Sequence, residues 1–496
     1  MSEPGAGLRR GPAQPVETAA MAESGGPCEV AAMAESGGPC EVAAMAESGG
    51  PCEVAAMAES GGPFQMAARA ESSGPDKSGG LGESGGLGES GGPDESRGLG
   101  ESDGLREADG PAEGSRGPAG SAGPERGAAA SAPGPAASAR RKLRPEHYDF
   151  FAGGAGEETA LRENERAFGR LALLPRVLRG GADLGTRVSV LGREWQAPLF
   201  VSPTAFHRLA HPDGELATAR AAAATGVPLV TSMAATTAVA DVVAAAREAD
   251  PEALVWFQLY PQPEHEVTAE LVRRAERAGC RALVVTVDSP VFGRRTRDLR
   301  NGFHDLPPGL AAENMRDLPG AAPGSTRDIA MWPAGWDDLA RLRELTDLPV
   351  VLKGVLHPQD ARTAVEQGVD ALLVSNHGGR QLDAAPASVE ALPAVVEAVA
   401  GRVPVLMDGG VRRGTDMALA LALGARAVGV GRPVLWALAT GGEDGVREVL
   451  TALREDFAHV LTLCGGRRPE DLTADQVVPR GLPYRPGGPG GGERAW

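Results

Sequence analysis

The sequence predicts an α/β chain: a (β/α)8 TIM barrel with a short helical lead-in, preceded by a long disordered N-terminal tail. Three observations predict it. Eight short β-rich runs alternate with Ala-rich helical stretches over roughly 260 residues, which is the pattern and size of a parallel eight-unit barrel. Each run is apolar in its body and polar at its C-terminal end. Ahead of them, residues 1–140 have almost no apolar bulk.

The tail comes first in the chain. It is nearly all Ala, Gly, Ser, Pro and Glu, with Phe64 its one aromatic, and it carries about −12 of the −17 formal charges. Such a composition buries too little surface to offset the entropy of ordering, so residues 1–140 read as disordered. A 12-residue repeat, "MAESGGPCEVAA", occupies 21–32, 33–44 and 45–56, with the variant "MAESGGPFQMAA" at 57–68. The period is shorter than that of the common solenoids. Cys28, Cys40 and Cys52 are copies within the repeat, and Cys280 and Cys464 stand far apart. No CxxC or metal-ligand spacing occurs, so neither a disulfide framework nor a metal site is expected. Residues 481–496 form a Gly/Pro-rich C-terminal tail.

Between the tails, 141–480 is expected to be one barrel domain. "PEHYDFFAGGAGEETALRENERAF" (145–168) reads as a helix, a Gly turn and a second helix. The predicted strands are "LFVSPT" (199–204), "PLVTS" (228–232), "LVWFQLY" (254–260), "ALVVTVD" (282–288), "PVVLKG" (349–354), "ALLVSN" (371–376), "PVLMDG" (404–409) and "AVGVGR" (427–432). A doubly wound open sheet would have fewer strands and one dominant Gly-rich first turn. The Pro- and Gly-rich segment from Asn301 to Trp336 follows the fourth strand and reads as a mobile lid.

A barrel places its chemistry at the C-terminal strand ends. Lys353 ends the fifth strand. The chain has only three lysines, Lys77, Lys142 and Lys353, against 46 arginines, so a lysine here points to a need for a compact point charge. Arg295, Arg380, Arg412, Arg413 and Arg432 fall on the same rim, and such positive excess suits anions. "DGGVRRGTD" and "GVGRP" occupy the loops where barrels cradle phosphate. His377 sits on the rim in "SNHGGRQLD", and Asp288 ends the fourth strand, from where it could orient the ring and make it a better base.

These residues, with "SPTA", "HPDGELATARAA", "FQLY", "TVDSPVFGRR" and "LKGV", resemble the FMN-dependent α-hydroxy-acid oxidase/dehydrogenase family, over about 141–470. The resemblance implies His377 as the active-site base with Asp288 behind it. It implies Arg380 and Arg295 as anchors of a substrate carboxylate, Tyr260 at the substrate hydroxyl, and Lys353 beside the flavin. It puts FMN against Pro203, Thr204 and Ala205, with Thr231, Gln258, Thr286, Ser375 and Asp408 near its polar parts. Its phosphate would rest on Gly410, Arg412, Gly431 and Arg432. The implied reaction is oxidation of an (S)-2-hydroxy acid to the 2-oxo acid, with O2 reduced to H2O2.

The chain departs from that family in two places. "YDFFA" puts Phe150 where a tyrosine usually grips the carboxylate, and Met233 stands where glycolate oxidase has a tryptophan. Phe150, Phe206 and Met233 are expected to line an apolar substrate pocket suited to medium-chain or aryl 2-hydroxy acids. Alternatives are a 2-hydroxy-acid dehydrogenase passing electrons to a quinone or carrier protein, an FMN barrel isomerase, and a non-enzymatic scaffold acting through the repeat tail. The acidic balance argues against nucleic acid. With no long apolar run, no membrane association is expected and a cytoplasmic setting is the default. A homotetramer is implied by the resemblance alone.

Overall fold

The computed structural model describes residues 134–180 and 183–481, together with short strands at 18–20, 29–34, 42–44 and 53–58. The chain divides into two compact units, Met1–Ala119 and Gly120–Trp496. In the first unit, Thr18–Ala20 pairs in parallel with Val42–Ala44, and Glu29–Ala34 with Glu53–Ala58. The second of these pairings sets copies of the repeat in register, Glu29 opposite Glu53 and Met33 opposite Met57. The rest of the expectation for the tail, and the C-terminal residues 482–496, lie outside the described residues.

The second unit starts earlier than residue 141. Helix α1 spans Pro135–Lys142, because Pro135 presets its first turn and Arg140, Arg141 and Lys142 face its negative C-terminal pole. Ala139 is fully buried, and Lys142 Nζ donates to the Thr440 carbonyl. Helices α2 (Pro145–Ala152) and α3 (Thr159–Gly169) complete the lead-in.

Among the described residues, eight strands close into a barrel, all parallel and each beside its sequence neighbour. They are β1 Leu199–Val201, β2 Leu229–Ser232, β3 Val255–Leu259, β4 Leu283–Thr286, β5 Val350–Lys353, β6 Ala371–Val374, β7 Val405–Asp408 and β8 Ala427–Val430. Val428 pairs with Leu199 and closes the ring. Every strand lies inside its predicted run and is shorter, because the polar ends of those runs leave the ladder as loops.

Strand residues alternate between two cores. Phe200, Val230, Trp256, Val284, Val351, Leu373 and Leu406 point inward, where they meet Val188, Val190 and Trp195 from the antiparallel hairpin Val188–Val190/Arg193–Trp195. The hairpin plugs the end where the strands begin. The alternate residues pack outward against helices such as α4 (Gly214–Ala224), α5 (Val239–Ala249) and α6 (His265–Ala278). No helix among the described residues is long and apolar enough to cross a membrane.

The expected lid is fastened at its centre. Asn314 Oδ1 accepts from the Val239 amide at 2.8 Å, and its Nδ2 donates to the Ser232 and Met233 carbonyls at 3.3 and 3.4 Å. Met315 and Leu318 are buried beside it. A buried amide with three partners holds this part of the segment against the barrel.

Candidate active site

The strand ends surround one cavity lined by residues from all eight strands or the loops just after them, with α2 adding Phe150 and Phe151. Chemistry concentrates on the β6 loop. His377, Gly378 and Gly379 all have positive φ, of 57°, 64° and 74°. This turn folds the chain back so that the imidazole faces the cavity. Gly379 has no alternative, since a Cβ there would lie 2.4 Å from the Leu161 nitrogen.

His377 Nδ1 lies 2.7 Å from Asp288 Oδ1. The Ser289 hydroxyl donates to the same oxygen at 2.9 Å, and the His377 amide donates to Ser375 Oγ at 3.1 Å. On the far side of the ring, Nε2 is 3.4 Å from Tyr260 Oη. Burial pushes the Asp288 carboxyl up, but the neighbouring His377 ring, the Lys353 charge and the hydrogen bonds from His377 and Ser289 outweigh it, bringing its pKa to about 2. Burial, with the Lys353 and Arg295 charges, holds His377 below its ordinary value although Asp288 opposes them. The result is an ionised carboxylate orienting a neutral imidazole whose Nε2 is available as a base. Lys353 Nζ donates to Ser375 Oγ at 3.1 Å. Its burial favours the neutral form, but Asp408 and Asp288 raise its pKa and keep it charged.

Three arginines supply the second feature. Arg295, Arg380 and Arg432 line the cavity, are partly buried, and hydrogen-bond to no carboxylate among the described residues. Arg380 Nη1 donates to the Phe150 and Gly153 carbonyls, both at 2.7 Å, and its guanidinium lies over the Phe150 ring, 5.2 Å from the centroid. Arg432 donates to the carbonyls of Phe151, Gly378 and Gly153 at 3.0 Å each. Burial, then neighbouring arginines, lowers Arg380 well below its ordinary value and Arg432 to about 10. Asp298 offsets part of the Arg295 and Arg380 charge and Glu165 and Glu158 part of that of Arg432, but none of these carboxylates is hydrogen-bonded to them, and such cations are costly without closer counter-charge. The cavity therefore calls for anions.

The expected flavin can be tested against this lining. Ser202 Oγ and Arg295 Nε, on residues that line the cavity, are buried with no hydrogen-bond partner, polar groups that a ligand would satisfy. Gln258 Nε2 donates to Thr286 Oγ1 at 3.2 Å, and its Oε1 accepts from Ser232 Oγ at 3.0 Å, so these buried polar groups are preset beside the cavity. At the β8 end, Gly429 leaves room that a Cβ would fill, 2.3 Å from Ser202 Oγ. The residues fit such a group.

Most predicted residues meet here: Phe150, Pro203, Thr204, Ala205, Gln258, Tyr260, Thr286, Arg295, Lys353, His377, Arg380, Asp408, Gly410, Arg412, Gly431 and Arg432, with Asp288 behind His377. Five others do not line the cavity. Ser375 is fully buried and sits behind it, joining Lys353 to His377. Thr231 is buried inside β2. Met233 is a correction: it is 0 % exposed and packs into the core, because the chain turns after Ser232 and presents Ala234 instead. Phe206 is a second correction, since it lies outside the cavity lining and packs tilted against Phe150 with ring centroids 5.7 Å apart. Arg413 pairs with Asp416 at 3.2 Å, with its side chain 66 % exposed. Sequence reasoning missed Phe303, whose ring packs 5.4 Å from Phe150. Its place in the predicted lid was the one available signal.

Comparison with known proteins agrees with this geometry. The pattern of the FMN-dependent dehydrogenases matches residues 139–479. 2-Hydroxyacid oxidase 1 of Mus musculus is 46% identical over 338 residues, covering 66% of this chain and 90% of that protein. The L-lactate oxidase of a Nostoc species is 46% identical over 344 residues, 67% of this chain and 94% of that one. Among solved structures, mandelate oxidase with (S)-2-phenylpropionate superimposes with a TM-score of 0.63 at 44% identity, covering 68% of this chain and 95% of that one.

Proposed function

The chain belongs to the FMN-dependent dehydrogenase family, and on that premise we propose that it oxidises an (S)-2-hydroxy acid to the 2-oxo acid, with O2 taken to H2O2. The observation that carries this reading is the pairing of a neutral, carboxylate-oriented His377 with Arg380 and Arg295, which form no ion pair among the described residues, in one cavity. A 2-hydroxy acid presents a carboxylate one carbon from the bond to be oxidised. Arg380 has the fork to hold that carboxylate in a plane, with Arg295 adding charge. The substrate hydroxyl then falls beside Tyr260 Oη and His377 Nε2, which are already within 3.4 Å of each other.

FMN supplies the two-electron acceptor when bound. Pro203, Thr204, Ala205, Gln258, Thr286 and Lys353 would hold its ring and Gly410, Arg412, Gly431 and Arg432 its phosphate, with Thr231 and Asp408 adding polar contacts. Two donors of Arg432 remain after its three carbonyl bonds, enough to receive a phosphate. His377 takes the substrate proton at Nε2, and Asp288 stabilises the imidazolium that results. Lys353 places positive charge where electrons arrive.

The relatives that support an O2-linked reaction are named oxidases. Phe150, with Arg380 over its ring and Phe303 packed against it, makes the wall near Arg380 aromatic, which favours a medium-chain or aryl side chain over glycolate. Cys280 and Cys464 are buried as free thiols, in keeping with a cytoplasmic setting, and a homotetramer follows from the family resemblance. One measurement tests the reaction: 2-oxo acid and peroxide should form in equal amounts from mandelate or 2-hydroxyoctanoate in air. Oxo acid formed only with an added quinone would favour the dehydrogenase instead.

A further inference from the structure

One buried acid has no place in the chemistry above. Glu215, in the first turn of α4, is 3 % exposed and makes no ion pair among the described residues. Its Oε1 accepts from the His207 and Thr236 amides at 2.9 and 2.8 Å. Its Oε2 accepts from the Thr236 and Thr237 hydroxyls at 2.7 and 3.0 Å. The carboxyl thus uses its full acceptor capacity to join the loop after β1 to the loop after β2. His207 is 3 % exposed; its Nε2 is 2.6 Å from Thr204 Oγ1 and its Nδ1 is 3.0 Å from Thr218 Oγ1. Burial holds this imidazole below its ordinary pKa, so a neutral ring fits the pair of hydroxyls.

Between the two anchored ends lies Phe206, with φ 60° and ψ 49°. A phenylalanine takes this left-handed conformation only where its surroundings impose it. Here Glu215 fixes residue 207 on one side, Thr204 is held to His207 on the other, and the Phe206 amide donates to the Ala234 carbonyl at 3.1 Å. So placed, the Phe206 ring backs Phe150, which carries Arg380 on its face.

We propose that Glu215, acting through His207 and Thr236, is a positioning residue that holds Phe206 behind Phe150 and thereby sets selectivity for large over small 2-hydroxy acids. The claim rests on the reading of the cavity as a 2-hydroxy-acid site. The test is kcat/KM of the FMN-loaded enzyme for mandelate and for lactate. Phe206→Ala should lower the mandelate-to-lactate ratio roughly tenfold. Glu215→Gln removes the charge and replaces one of the two acceptor oxygens with a donor amide, so that at least one of the four bonds is lost or reversed, and it should lower the ratio in the same direction. In the Phe206→Ala background it should change the ratio less than about twofold, because both act on one element. Thr236→Val removes one hydroxyl and carries the same expectation if Glu215→Gln does not fold. A lowered Tm with an unchanged ratio would overturn the proposal, as would an undiminished effect without Phe206. If the unmodified enzyme oxidises neither acid, the substrate reading fails separately. The positioning claim then stands or falls on a crystal structure of Glu215→Gln or Thr236→Val: Phe206 displaced from φ near 60° supports it, and Phe206 unmoved refutes it.

Discussion

The two ends of the barrel use the same eight strands for opposite purposes. Where the strands begin, Trp195 meets Phe200 and Trp256 edge-on at centroid distances of 6.1 and 5.4 Å, and almost everything in contact is apolar. Where they end, partly buried arginines lie without a hydrogen-bonded carboxylate and His377 has positive φ; Ser202 Oγ and Arg295 Nε lack partners there, as Trp195 Nε1 does at the packed end. The first end is optimised for packing. The second is kept in an arrangement that costs stability and is suited to anions. A single barrel tolerates both because the packed end and the outward-facing core hold the strands while the loops carry the strain.

The comparison breaks most sharply by trading changes between ends. Trp195→Ala should destabilise the fold by about 3–5 kcal/mol, read from denaturant midpoints, while kcat per folded molecule stays near the native value. His377→Gln should do the reverse, leaving Tm near native and lowering kcat by roughly 10^2–10^4, the range for loss of a general base. Arg380→Lys keeps the charge but loses the planar fork, so kcat/KM should fall by about 1.5–3 kcal/mol, or tenfold to more than a hundredfold. The smallest effect is in pH. His377 must be neutral to act, and its pKa is held below 6.5. Activity as kcat/KM should therefore be level above that value and fall only as pH drops below it. An acid limb centred above 6.5 would show that Asp288 dominates over burial.

Much of this was legible in the sequence because the barrel repeats a strong signal eight times. Each apolar run with a polar end announced both a strand and a rim position, so His377, Lys353, Arg380 and Arg295 were found together. What failed was local. Met233 follows β2 by a single residue, and the direction of a side chain just past a strand depends on how the loop turns, which hydropathy does not record. Phe206 likewise depends on a left-handed backbone imposed by Glu215, a contact across loops. Helix α1 was not predicted because its Ala-rich text merges with the tail, and only packing against the C-terminal helical segment Arg432–Leu463, kinked at Gly442, distinguishes it. The Arg432 bonds to three carbonyls could not be read at all, since main-chain acceptors leave no mark on the sequence.

The central claim is that a buried base and unpaired arginines serve oxidation of a 2-hydroxy acid by bound FMN. Anaerobic titration tests it most directly: the blue absorbance band of the purified yellow protein is followed as glycolate, lactate, 2-hydroxyoctanoate and mandelate are added in turn, and air is then admitted. The account predicts bleaching by the larger acids and rapid return of colour in air. A yellow protein that none of the four acids bleaches would contradict it.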